Sequence, residues 1–243
     1  MRFSPPEGVA IRGTVIVVVG RGESPAVYPR FGQRLAADGY VVAVPDPASA
    51  GFIDGHTAQE VARGTEALVA AVHRERDTPG RVVVVGSDTG AWWALLAAAA
   101  TSQVAGVVAV GLPLRASHDR LDWDAELEVR TACPVHRARL DDTQTLARDA
   151  LAVVPEALRT AGSAVTVGVP ILVLHGEQDQ ISPWRDAVAL ARTWPTARAV
   201  TVADGRHDVL NDLAHRSVAA EIVQLLERLR LDPAAPPILL DHP

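Results

Sequence analysis

The sequence contains no lysine. All 23 basic residues are arginine, which excludes a Schiff-base lysine, a phosphate-loop lysine and a pyridoxal-phosphate enzyme. A single cysteine, Cys133, excludes an internal disulfide framework and any cysteine-rich zinc or iron–sulfur site. The N-terminal Met1-Arg2-Phe3-Ser4-Pro5-Pro6-Glu7 lacks the apolar core of a signal peptide. The most apolar stretch, Ala91 to Ala100, is far short of a membrane span. A net charge of −6 offers no basic surface for nucleic acid or anionic lipid. These absences predict a soluble, cytoplasmic protein without membrane or nucleic-acid partners. What remains is 243 residues, 48% hydrophobic and 21% charged, the mix of one large globular domain.

Short β-branched runs alternate with longer helical patterns. Thr14 to Val19, Tyr40 to Val44, Arg81 to Val85, Val104 to Val110, Pro170 to His175 and Ala197 to Ala203 read as strands. Between them, helices are predicted over Tyr28–Asp38, Thr57–His73, Ala91–Ala100, Pro183–Trp194 and Asn211–Leu231. Thr57 and Glu60 have the spacing of a capping box. The alternation predicts an α/β fold, a mainly parallel sheet with helices on both faces. After Gly111-Leu112-Pro113 the rhythm breaks, and it returns only near residue 169. Residues 1–113 and 169–243 therefore form the expected core. Residues 114–168 form an expected cap, inserted at the sheet edge where ligands bind in such folds.

The most informative segment is Gly86-Ser87-Asp88-Thr89-Gly90, between a strand and a helix. Paired glycines there suit a turn too tight for larger side chains, with Asp88 at its tip. Three other loops carry matching chemistry. They are Val19-Gly20-Arg21-Gly22, then Leu174-His175-Gly176-Glu177-Gln178-Asp179, then Asp204-Gly205-Arg206-His207-Asp208.

Taken together and in this order, these residues resemble the α/β-hydrolase family, over about residues 10 to 231. The resemblance implies Asp88 as nucleophile, His207 as base and Asp179 as the orienting acid, with Glu177 the lesser candidate. It implies an oxyanion hole from N–H groups at Arg21 and Thr89, and no cofactor or metal. A carboxylate nucleophile suits an sp³ carbon, because attack on an ester carbonyl would give a mixed anhydride. The epoxide-hydrolase and haloalkane-dehalogenase branches work this way, through an alkyl ester that His-activated water hydrolyses. The sequence departs from both. Thr89 stands where dehalogenases usually have Trp, and the expected cap holds none of the tyrosines that usually protonate an opening epoxide. Gly20 to Asp46 is worded more like the lysophospholipase-type branch. Candidate substrate-binding residues are Gly22, Glu23, Trp92, His118, Trp123, His136 and Trp184, around a small, largely apolar molecule. A homodimer is compatible with this reading.

Other readings compete. Asp88 could act as a general base in an atypical esterase, cap its helix for about 1 kcal/mol, or sit inert in a binding or biosynthetic scaffold. His175 reads as a structural histidine, Asp208 as a solvated loop residue, and Asp54 with His56 as an ordinary loop rather than a metal pair. A dinucleotide site at Gly20-Arg21-Gly22 with Asp46 fails on Pro25, where a third glycine belongs, and on Glu23, which would face a pyrophosphate.

Overall fold

The computed structural model describes residues 1–47, 55–116, 119–142, 146–232 and 238. Among these, seven strands form one sheet: β1 (Arg2–Phe3), β2 (Gly13–Val18), β3 (Tyr40–Ala43), β4 (Arg81–Ser87), β5 (Val104–Val110), β6 (Ile171–Gly176) and β7 (Ala197–Val202). Their order is β1-β3-β2-β4-β5-β6-β7, parallel throughout except for antiparallel β1 at one edge. Two-residue β1 carries too short a pattern to be read from sequence.

Helices α1 (Pro29–Ala37), α2 (Ala58–Arg74), α3 (Thr89–Ala100), α7 (Trp184–Ala191) and α8 (His215–Leu231) flank the sheet, and α4 (Trp123–Arg130), α5 (Pro134–Leu140) and α6 (Glu156–Ala164) lie between β5 and β6. The central strands are valine runs because both their faces are covered. In β4, Val83 and Val85 pack with Phe31, Leu35, Ile222 and Leu226 of α1 and α8. Val82 and Val84 point the other way, toward Leu68, Trp92 and Ala187 of α2, α3 and α7. The Thr57–Glu60 capping box opens α2 as predicted.

One helix starts later than expected. Residues 207–214 form turns, and α8 begins at His215. Asp212 causes this. Its carboxylate accepts the backbone N–H groups of Ala132, Cys133 and Arg206 and the Thr131 hydroxyl, tying the turn to the inserted segment. Among the described residues, 114–168 contribute α4 to α6 and no strand of the sheet. Among the described residues no helix is long and apolar enough to cross a membrane. The loops after β2, β4, β6 and β7 all leave the same C-terminal edge, which brings Arg21, Asp88, Asp179 and His207 together.

Candidate active site

The turn after β4 is as tight as its glycines suggest. A Cβ on Gly86 would lie 2.1 Å from the Gly90 carbonyl oxygen, and one on Gly90 would lie 2.3 Å from that of Val18. Asp88 between them has φ 50° and ψ −124°, a backbone shape that disfavours side chains and is common where strain serves function. Its carboxylate makes no capping bond to α3, so the helix-cap reading does not hold.

Asp88 faces three groups instead. Its Oδ2 accepts the Arg21 backbone N–H at 2.9 Å and Arg21 Nε at 2.7 Å; its Oδ1 accepts Arg21 Nη2 at 2.8 Å. His207 Nε2 lies 3.4 Å from Oδ1, an ion-pair separation rather than a full hydrogen bond. His207 Nδ1 meets Asp179 Oδ2 at 2.8 Å. Asp179 Oδ1 accepts the N–H groups of Ile181 and Ser182, which fixes the carboxylate. His175 Nε2 braces it at 3.0 Å and also meets the Ser182 carbonyl. Glu177 is elsewhere, exposed and bonded to Thr201.

The line is strongly polarised. Burial alone would raise the Asp88 carboxyl, but the charges and N–H groups of Arg21 and His207 overrule it and hold it well below the usual carboxylate range. Burial opposes a charge on His207 too, yet Asp179 and Asp88 push its pKa up to about 10. Asp179 is lowered by His207 and His175 despite burial. At neutral pH the row is therefore guanidinium, carboxylate, imidazolium, carboxylate.

A second buried network adjoins this row. Glu23 Oε2 accepts the Gly20 N–H at 2.8 Å and the Tyr28 hydroxyl at 2.5 Å. Arg130, fully buried on α4, bonds Glu126 and the Arg21 carbonyl. Its Nη1 lies 3.7 Å from both Glu23 and Asp208, and His136 Nε2 is 3.3 Å from Asp208 on the far side. Asp208 is thus a buried ion-pair member, not a solvated loop residue; the neighbouring sequence gives no sign of the Arg130 that holds it. Burial first, then Asp208, raises the Glu23 carboxyl, against Arg130, Tyr28 and Gly20. Glu23 also occupies the Gly20 N–H that a pyrophosphate would need, which removes the dinucleotide reading.

Beside the row lies a cavity of about 510 Å³. Arg21, Gly22, Glu23 and Thr89 line it, with Trp93, His56 and the apolar Val18, Pro45 and Val153. Asp88 and His207 are not among its lining residues, while Arg21, which holds Asp88, is. Four expected substrate contacts fall elsewhere. Trp92 is core, packed on Gly162 with its indole N–H on the Pro113 carbonyl; the neighbouring Trp93 reaches the cavity instead. The Trp123 indole is engaged by Asp141, His136 is buried against Asp208, and Trp184 is stacked by Arg185. His118 and Asp54 lie outside the described residues. No metal-binding cluster occurs among the described residues.

Arg21 is the site residue whose main role the sequence hides. Its Nη1 also bonds the carbonyls of Leu151 and Val153, so one side chain joins the elbow, the tight Gly86–Gly90 turn, to the inserted segment. The loop sequence points to a charged side chain, Arg21 or Glu23, beside the site, and both are there; which groups Arg21 would bridge has no local signal.

Residues 150–236, about a third of the chain, match the family of TAP-like proteins. No curated protein matches the chain. Among solved structures, a soluble variant of monoglyceride lipase from Saccharomyces cerevisiae superposes with a TM-score of 0.74 at 14% identity, covering 94% of this chain and 91% of that one. The monoacylglycerol lipase of Paleococcus ferrophilus gives 0.69 at 16%, over 95% and 97%. A thermophilic esterase from Thermogutta terrifontis gives 0.64 at 21%, over 95% and 93%. At these identities the likeness establishes architecture: the chain has the α/β-hydrolase fold.

Proposed function

We propose that the protein is a hydrolase in which Asp88 attacks an sp³ carbon, an epoxide ahead of an alkyl halide, and His207 activates water to hydrolyse the resulting ester. The observation that supports this most is the row from Asp179 through His207 to Asp88, with Asp88 Oδ2 already resting on the Arg21 backbone N–H. That N–H and Arg21 Nε would hold the oxyanion when water adds to the ester. Oδ1, toward His207, would be the attacking oxygen; attack requires Arg21 Nη2 to give up its contact there.

The protonated resting state of His207 fits the two-step order. The first step needs a carboxylate and no base. Esterification removes the Asp88 charge, so His207 loses one of the two carboxylates that hold its proton. It can then release its proton to solvent, act as the base on the ester, and take a proton back from solvent once Asp88 is again a carboxylate. A general-base role for Asp88 fits poorly, since a carboxyl held well below its usual range binds protons weakly. Lipases and esterases among the structural neighbours suggest ester substrates, but Asp88 is not suited to attack a carbonyl.

A second reading, a non-catalytic binding scaffold, is favoured by one observation. Arg21 covers both Asp88 oxygens, and the cavity reaches neither Asp88 nor His207. The two readings separate on His207→Gln, which should stall at the ester. Incubated with 1,2-epoxyhexane or 1-bromohexane, the variant should gain one alkyl adduct on Asp88 by intact mass and peptide mapping. A folded variant that gains none with either reagent is a scaffold.

A further inference from the structure

Resting on the nucleophile reading, we propose that Glu23 is the acid that protonates the opening epoxide oxygen, and that Arg130 receives the charge Glu23 is left with. The inserted segment offers no tyrosine for that task. Glu23 lines the cavity. A single point, the position a Cβ on Gly20 would take, is 3.0 Å from both Asp88 Cβ and Glu23 Oε2, so the two side chains flank Gly20 on neighbouring sides of the site. Oε2 is fixed by Gly20 and Tyr28, which leaves Oε1 to carry the proton.

Nη1 of Arg130 gives the second support. It is fully buried, makes no hydrogen bond, and sits at ion-pair distance, 3.7 Å, from both Glu23 Oε1 and Asp208 Oδ1. A buried charged donor left short of an acceptor is costly and calls for an explanation. A Glu23 carboxylate formed during turnover would supply one, closing onto Nη1.

The step balances. An Asp88 Oδ1 electron pair forms the new C–O bond, and the ring C–O bond breaks with its pair going to the epoxide oxygen. That oxygen takes the proton from Glu23 Oε1. The negative charge thus moves from Asp88, where Arg21 held it, to Glu23, where Arg130 holds it. Water then hydrolyses the ester to the diol, and the proton released as Asp88 re-ionises restores Glu23. Burial first, then the Asp208 charge, raises the Glu23 carboxyl and so favours its proton-bearing form. The groups facing it are Tyr28 from the loop before α1, Arg130 of α4 with Glu126 behind, Asp208 with His136 behind, and Asp88 of the elbow.

A halide leaves without a proton, so the two electrophiles distinguish an acid from a structural residue. The experiment measures Asp88 alkylation rates in the His207→Gln protein, with and without Glu23→Gln, using 1,2-epoxyhexane and 1-bromohexane. Glu23→Gln should lower the epoxide-to-bromide rate ratio about a hundredfold or more, the scale of general-acid catalysis. Equal slowing of both, or of neither, overturns the acid role. With Glu23 intact, the same ratio should fall as pH rises through the Glu23 pKa; a flat ratio overturns it without any variant at that position. If the parent forms adduct with the bromide alone, the nucleophile reading stands and Glu23 fails. If it forms none with either, both fail.

Discussion

Arg21→Met is expected to destabilise the fold by about 3–5 kcal/mol, the scale for leaving a buried charge without its partner. Asp88 is 2% exposed and Arg21 9%, so water cannot replace the lost contacts. The variant would strand Asp88 beside the aliphatic Met side chain, with only the Arg21 position's backbone N–H and His207 left to face it. It would also release the Leu151 and Val153 carbonyls, loosening the inserted segment. Asp88→Asn strands Arg21 in the same way and should also destabilise. The double variant Arg21→Met/Asp88→Asn removes both charges, so urea unfolding should show it losing much less than the two single losses together. Simple additivity would mean that the pair is not coupled as its geometry implies.

The next largest effect concerns His207. Held between two carboxylates, it should remain protonated in the free protein until about pH 10, which NMR of the imidazole ring reads directly. Its folded pKa is raised above the unfolded value of about 6.5. The stability it contributes is therefore complete below about pH 6.5 and is lost as pH climbs through the folded value. Asp179→Asn removes the nearer carboxylate. The ring should then lose its proton at a lower pH and its fixed orientation as well. Hydrolysis of the alkyl ester should slow by about 10⁴-fold, so the ester accumulates even with His207 present. Ester that turns over at the parental rate would remove Asp179 from the relay.

Much of the architecture was legible because single physical causes dominate it. Valine runs in β2, β4 and β5 reflect strands covered on both faces, and Thr57 and Glu60 mark a helix start by local hydrogen bonding alone. Gly86 and Gly90 could be placed because nothing larger fits. The candidate site was legible only as far as chain order carries it. Asp88, Asp179 and His207 come together because each follows a parallel strand.

What stayed hidden depends on side chains from distant loops. The Arg21 carboxylate clamp spans 67 residues, and Arg130 reaches the Arg21 carbonyl across 109. No local pattern announces either. Trp92 and Trp93 defeated periodicity for another reason. Helix α3 is apolar on all sides, so its pattern cannot say which indole faces the core and which the cavity. Asp208 reads as solvent-facing from its place in a polar loop, Asp204-Gly205-Arg206-His207, while in space Arg130 and His136 enclose it.

The central claim is that Asp88 forms a covalent ester, and isotope transfer in a single turnover tests it most directly. With protein in excess over 1,2-epoxyhexane in ¹⁸O-water, hydrolysis of an Asp88 ester leaves the heavy oxygen in the Asp88 carboxylate and none in the diol. Label in the peptide containing Asp88, with an unlabelled diol, is the predicted result. Label in the diol and none in the protein would mean that water attacks the substrate directly, and the nucleophile account would be wrong.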